Sequence, residues 1–323
     1  MSIHYTFPDG LQIRHATMAD LHAVTELIIA CDIVDFGKPD YSEDELRQNW
    51  QRANFQLATD AFVLHSAAGE IIGYTDICPS RGGIYINALT RVHPDYRQLN
   101  LDEALFEMAE AYACQRVTSA QVDATLSPLA WTISTDVKRL SLLEQRGYRS
   151  VNTEWRMEID FHEPPLAPTW PEGIAVRQFV VGQDEQSVHQ LIQEAFQDLR
   201  DYEYESFDDW QGWAFKHGNF QPALIPIITS GAEMIGVAWC YGFSDGGAWI
   251  YQLAIAQPWR KQGLGLQLLR QSFYMLYQHG IRNVGLTVDL QNVTGAARLY
   301  ERAGMHLAER HDTCEKQLDC KKK

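Results

Sequence analysis

At 323 residues the chain has the length of about two domains, and its 46% hydrophobic content is enough for sizeable cores. Asp and Glu outnumber Lys and Arg by 42 to 27, a formal charge of −15, which disfavours nucleic acid and anionic membrane as partners and favours cationic ones. No apolar run approaches the ~18 residues of a membrane span, and the N-terminal MSIHYTFPDG has no charged-then-apolar leader pattern, so a cytoplasmic protein is expected.

In chain order, an opening strand is predicted over 11–15. Thr17 and Asp20 then form a capping-box pattern ahead of a helix that uses Leu21, Val24, Leu27 and Ile28. A second box, Ser42 with Glu45, starts another helix. Strands are expected at 61–65, 71–77 and 84–92, followed by a helix over 99–117 with Leu101, Leu105, Met108 and Tyr112 on one face. A strand near Val122, a helix ending at Gly147 and a long strand over 151–161 complete the first half. Residues 162–173, HEPPLAPTWPEG, carry four prolines in twelve positions and read as a stiff linker. The expected domains are therefore 1–161 and 174–323.

The second half repeats the order of the first. Residues 174–179 form an opening strand with Arg177 in the place of Arg14. Gly73 and Arg97 fall on Gly236 and Arg260 at an offset of 163, and Gly147 falls on Gly304 at 157. A repeat of this length is a duplicated domain, not a solenoid. The centre of the second copy is WIYQLAIAQPWRKQGLGLQLLR, residues 249–270. A buried strand, 249–255, is closed by Pro258. A basic, glycine-containing turn leads into a helix whose Leu268, Leu269, Phe273, Leu276 and Tyr277 share one face. Such a turn leaves helix N-terminal N–H groups unpaired, a site for phosphate or pyrophosphate. Gly263 and Gly265 keep the backbone bare there, and Arg260 adds a fixed charge suited to phosphate oxygens. Neither the three-glycine dinucleotide fingerprint nor the GK[ST] ending of a P-loop fits these residues.

The pattern that does fit is RxxGxG, carried by Arg260, Gly263 and Gly265, and it resembles the GNAT N-acetyltransferase superfamily. A second motif of that family, N-x-x-A-x-x-L-Y-x-x-x-G-F, is matched by Asn292, Ala296, Leu299, Tyr300 and Gly304, with Met305 in place of Phe. Residues 312–318 resemble the family's last strand. The resemblance implies an α/β fold: two tandem GNAT-like domains, each a central mixed β-sheet flanked by helices. The first copy departs from the pattern, with Asn100 and Asp102 at the positions of Gly263 and Gly265, and Leu143 at that of Tyr300. It reads as a degenerate copy, with the active site in the second.

The resemblance further implies acetyl-CoA as co-substrate and direct transfer of its acetyl group to an amine. The cofactor grip would comprise the strand edge Leu253, Ala254 and Ile255 and the turn Arg260, Lys261, Gln262, Gly263, Leu264 and Gly265. Asn292 would anchor pantetheine or cap the next helix. Tyr300, a phenol with a pKa near ~10, is the candidate acid for the departing thiolate; its alternative is a packing role. The base is open, because Trp249, Tyr251 and Gln252 occupy the strand region where many relatives place a Glu. The acidic, aromatic segment 201–210 supplies Glu203, Glu205 and Asp208 as carboxylates for a cationic small-molecule amine, with Glu203 and Glu205 as candidate catalytic groups; a solvated charge run is the alternative. The two-copy layout resembles the mycothiol synthase family. An acceptor on a protein or peptide, a non-catalytic acyl-CoA-binding module, and a monomer or a homodimer all remain open. The six cysteines are scattered without a CxxC, implying neither a disulfide framework nor a zinc ribbon. His306, His311, Cys314 and Cys320 lack tetrahedral-site spacing, and no metal is expected.

Overall fold

Caps and hydrophobic spacing account for most elements of the computed structural model, which describes residues 7–8, 10–39, 41–52, 55–79, 85–120, 127–134, 136–197, 202, 204–215, 219–243, 246–290, 295–317 and 320. The chain divides into two compact units, Met1–Val151 with Asp312–Lys323, and Asn152–His311.

The first unit runs β1 (Gln12–His15), α1 (Leu21–Phe36), α2 (Glu43–Trp50), α3 (Leu57–Asp60), β2 (Ala61–His65), β3 (Ile71–Pro79), β4 (Tyr85–Val92), α4 (Leu101–Ala120), β5 (Ser127–Ile133) and α5 (Val137–Gln145). Its strands are ordered β1-β2-β3-β4-β5, antiparallel except for the parallel pair β4/β5. Both predicted capping boxes form. Thr17 N and Oγ1 donate to Asp20 Oδ2 at 2.8 and 2.9 Å, and Ser42 and Glu45 exchange bonds at the start of α2. The described part of the next strand is β5, in which Trp131, Thr132 and Ile133 favour an extended chain; Val122, near which a strand is expected, is outside the described residues.

The second unit begins with most of β6 (Arg149–Asp160) and continues through β7 (Ile174–Gln178), α6 (Glu185–Phe196), α7 (Phe207–Ala214), β8 (Pro226–Ser230), β9 (Glu233–Gly242), β10 (Gly247–Ile255), α8 (Leu264–Gln278), β11 (Asn283–Asp289) and α9 (Ala296–Arg302). Its strand order is β6-β11-β10-β9-β8-β7, with β10/β11 the parallel pair. One face packs under α8, where Leu264, Leu268, Leu269, Phe273 and Leu276 are buried against Ile250, Leu286 and Met157. The other face carries Trp239 and Tyr241, fully buried with Trp210 of α7 and with Phe179 beneath α6 and α7.

The repeat is visible in structural detail. Arg14 clamps Asp20 with two bonds of 2.8 and 2.6 Å, and Arg177 clamps Asp184 with two of 2.6 and 2.7 Å. Gly73 and Gly236 both sit where a Cβ would press on the neighbouring strand, against Leu64 in one unit and against Ile228 and Ile255 in the other.

The first unit is not continuous in sequence, and the second begins before the proline-rich stretch. β6 precedes the proline-rich stretch yet pairs antiparallel with β11, from Asn283↔Asp160 to Asp289↔Glu154, and its Met157 is fully buried with Leu286. The last strand, β12 (His306–Glu315), starts six residues before the predicted 312, and its end belongs to the first unit. There Cys314 packs with Phe106, Leu143 and Tyr148, Asp312 accepts from Ser134 at 2.6 Å, and Lys316 pairs with Glu110 at 3.0 Å. A disulfide joins Cys114 of α4 to Cys320, a bridge between distant positions that cysteine spacing did not imply. No helix among the described residues is long and apolar enough to cross a membrane.

Candidate active site

The site begins with a parting of strands. β10 and β11 pair only over Gly247↔Asn283, Ala248↔Val284 and Trp249↔Gly285; beyond that point β11 pairs with β6 and β10 with β9. Gly285 allows this apex, since a Cβ there would collide with the Trp249 ring. The Arg156 guanidinium lies 4.9 Å from the centre of that ring, and Arg156 is held in turn by Glu158 at 2.9 Å. Past the apex, residues 253–255 lie on the splayed part of β10, where the sequence places the pantetheine grip.

A β-bulge then re-aims the strand. The register shifts between Ile250↔Cys240 and Gln252↔Trp239, leaving Tyr251 as the extra residue. Before the bulge Ala248 and Ile250 face the α8 core; after it Leu253 and Ile255 do so, while Ala254 joins the α6/α7 side.

β10 ends at a short turn and α8 follows. Gly263 is the N-cap, with φ +81°, and no side chain among the described residues caps the helix. Its first-turn N–H groups lie where the sequence predicts an anion site. Gly265 has an additional reason to lack a side chain, because a Cβ would stand 3.1 Å from Leu299 Cδ1 of α9. Arg260 does more than carry charge. Its guanidinium donates to Ile255 O at 3.1 Å and Ala195 O at 2.5 Å, bracing the end of β10 against α6. Lys261 adopts φ +61° and is exposed, Gln262 donates to Pro258 O at 3.1 Å, and the Leu264 side chain is buried in the core. In the first unit the equivalent Arg97 makes a bidentate ion pair with Asp35 at 2.6 and 2.8 Å.

Tyr300 lies on α9 against the α8 core, half-buried. Burial pushes its phenol up to about 12, so the hydroxyl stays a proton donor at neutral pH. Glu205 sits before α7, where its Oε1 accepts from Trp213 Nε1 at 2.8 Å and its carbonyl meets His189 Nε2 at 2.8 Å. Asp208 is exposed in the first turn of α7. Glu203 and Asn292 lie outside the described residues. His311 pairs with Glu309 at 3.2 Å, and no group of three or more His, Cys, Asp or Glu that could hold a metal occurs among the described residues.

Sequence reasoning missed a difference between the copies. At the offset that aligns Gly147 with Gly304, Arg139 of α5 falls on Ala296 of α9. Arg139 Nη1 donates to Thr90 O at 3.0 Å, and its guanidinium lies 5.3 Å from the Phe106 ring centre. Thr90 is the counterpart of Leu253 at the 163 offset. A long side chain therefore covers the strand edge in the first unit, whereas the second has only a methyl group there. Burial and the neighbouring Arg91 push Arg139 down to about 10. The repeat alignment already contained this signal.

The acetyltransferase (GNAT) family model matches residues 186–305, from α6 past the end of α9. A GCN5-related N-acetyltransferase from Sphaerobacter thermophilus, known as a crystal structure, is 32% identical, with a TM-score of 0.83 and coverage of 97% of each chain. The chain belongs to the GNAT family of N-acetyltransferases. A mycothiol acetyltransferase from Saccharopolyspora erythraea is 26% identical to this GNAT protein over 259 residues, 76% of this chain and 81% of its own. A tandem GNAT protein from the clavulanic acid biosynthesis pathway shares the fold, with a TM-score of 0.72 at 14% identity and coverage of 95% and 98%. The two-copy architecture is thus a tandem GNAT fold, and the protein is an N-acetyltransferase.

Proposed function

We propose that the second unit, Asn152–His311 where the sequence reads 174–323, carries the active site. There it transfers the acetyl group of acetyl-CoA directly to the amine of a small molecule. The observation that carries this reading is the parting of β10 from β11 beside an uncapped α8 N-terminus. The first-turn N–H groups of α8 would take the pyrophosphate, and the edge of Leu253, Ala254 and Ile255 the pantetheine amides. A backbone N–H on that edge would polarise the thioester carbonyl. The amine nitrogen bonds to the carbonyl carbon, the C–S bond breaks, and the thiolate takes the Tyr300 proton. The ammonium proton leaves to a carboxylate of the 203–208 segment or to water. Relatives named mycothiol acetyltransferase support a small-molecule acceptor.

A thiol-release assay over aminothiols, aminoglycosides, polyamines and peptide N-termini tests the activity, and Gly263→Asp tests the place. Turnover that survives Gly263→Asp would refute the second-unit site. Acetyl-CoA binding with no thiol released from any amine would identify a binding module instead.

A further inference from the structure

Resting on that placement of the site, we infer that Tyr251 and Trp213 form an aromatic corner selecting a cationic alkyl amine as acceptor, with Glu205 and Gln252 as its hydrogen-bond acceptors. Tyr251 is the bulge residue of β10, two positions before Leu253, and is 41% exposed in a strand whose Ala248, Ile250 and Ala254 are buried. Its ring centre lies 6.5 Å from that of Trp213 at 40°, and 5.0 Å from that of Tyr241 at 72°. The corner is braced on both sides. Tyr241 Oη donates to Ala214 O at 2.9 Å, tying the end of α7 to β9, and Trp213 Nε1 is held by Glu205 Oε1.

Among the described residues, the formal charges carried by the elements around the corner are of one sign. Gln252 Oε1, next along the strand, is buried with no hydrogen-bond partner among the described residues, an acceptor awaiting a donor. α6, α7, β9 and β10 contribute no Lys or Arg, but do contribute Glu185, Glu194, Asp208, Asp209 and Glu233. Arg200 and Lys216 lie outside the described residues. Two aromatic faces, a carboxylate and an unsatisfied carbonyl oxygen suit an ammonium on a CH₂ chain and repel a carboxylate or phosphate. The acceptor class that fits is an alkyl di- or polyamine.

The test compares putrescine and spermidine with glycine and glutamate as acceptors at saturating acetyl-CoA. The expected result is a kcat/KM for the diamines at least ~10-fold above that of the carboxylated amines. Y251L and W213L, which keep an apolar side chain without the π-face, should raise the putrescine KM by about 2- to 30-fold, the range of a cation–π contact, with the acetyl-CoA KM unchanged. Y251F should restore affinity relative to Y251L. Equal use of carboxylated amines, or a putrescine KM indifferent to Y251L in a protein that melts like wild type, would overturn the inference. The G263D variant separates this from the underlying reading: if it retains turnover with every amine, the placement of the site has failed. If no amine turns over, calorimetry of putrescine with the acetyl-CoA-loaded protein decides. Heat that Y251L removes supports the corner, and absence of heat in the wild type overturns it.

Discussion

Single residues carry consequences in opposite directions. Tyr300 gains from burial, which keeps its proton on well beyond neutral pH. Tyr300→Phe should therefore lower kcat by at least ~10², the lower end of general acid catalysis, and leave acetyl-CoA affinity nearly unchanged, since the ring is retained. Single-turnover rates make this test clean when product release limits kcat. A near wild-type chemical step would leave the tyrosine as packing only. Asp76 in the first unit is the reverse case. It accepts from Tyr74 Oη at 2.7 Å, which in turn accepts from Trp50 Nε1 at 2.8 Å. Burial outweighs these bonds and pushes its carboxyl up to about 6. With the folded value above the unfolded one of about 4, its protonated form is favoured by folding. That contribution is complete below about pH 4 and fades as pH rises through about 6. Asp76→Asn should flatten this part of the stability profile, measured by denaturant melts across that range.

At the scale of elements, two glycines do different work. Gly263 starts α8 at φ +81°, a conformation that costs other L-residues about 1–2 kcal/mol. Gly263→Asp adds a carboxylate that can satisfy the same N–H donors a pyrophosphate would take. The helix should persist while acetyl-CoA binding is lost, as circular dichroism and calorimetry would report. Gly285 is needed for contact, because the Trp249 ring occupies the space of a Cβ. Gly285→Ala should destabilise the protein by about 1–3 kcal/mol, the usual cost of overpacking, and disturb the point where β10 and β11 part. Trp249→Leu in the same chain should recover part of that loss by making room.

For the whole molecule, duplication has left two similar frames with different clefts. Arg139 on the Thr90 carbonyl, and Asn100 and Asp102 in place of the α8 glycines, argue for one acetyl-CoA per chain. Calorimetry should give a stoichiometry near one, abolished by Gly263→Asp; a second site of similar affinity would contradict the account. The compact units also predict how the chain tolerates cutting. Residues 1–161 expressed alone lack Cys314, Lys316 and Cys320, and 174–323 alone lacks the strand that pairs with β11. Each should fold poorly, by proteolysis and melting. Deleting residues 312–323 should weaken the first unit, although that segment ends the second half of the sequence.

The sequence by itself determined the local and the repeated. Capping boxes, the amphipathic face of α8 and the turn from Arg260 to Gly265 rest on spacings within a few dozen residues, and the duplication on the return of such local patterns at offsets of 157 to 163, so all can be read along the chain. Tertiary structure alone decided which strand each unit keeps. An alternating apolar strand such as β6 specifies a buried face but not a partner, and β11 became its partner through a register no local pattern encodes. The same holds for the Cys114–Cys320 bond and for the bracing of Arg260 by Ala195 O. The Tyr251 bulge belongs here too, since it depends on how β10 meets β9. These features join residues whose separation in sequence carries no information about their approach in space.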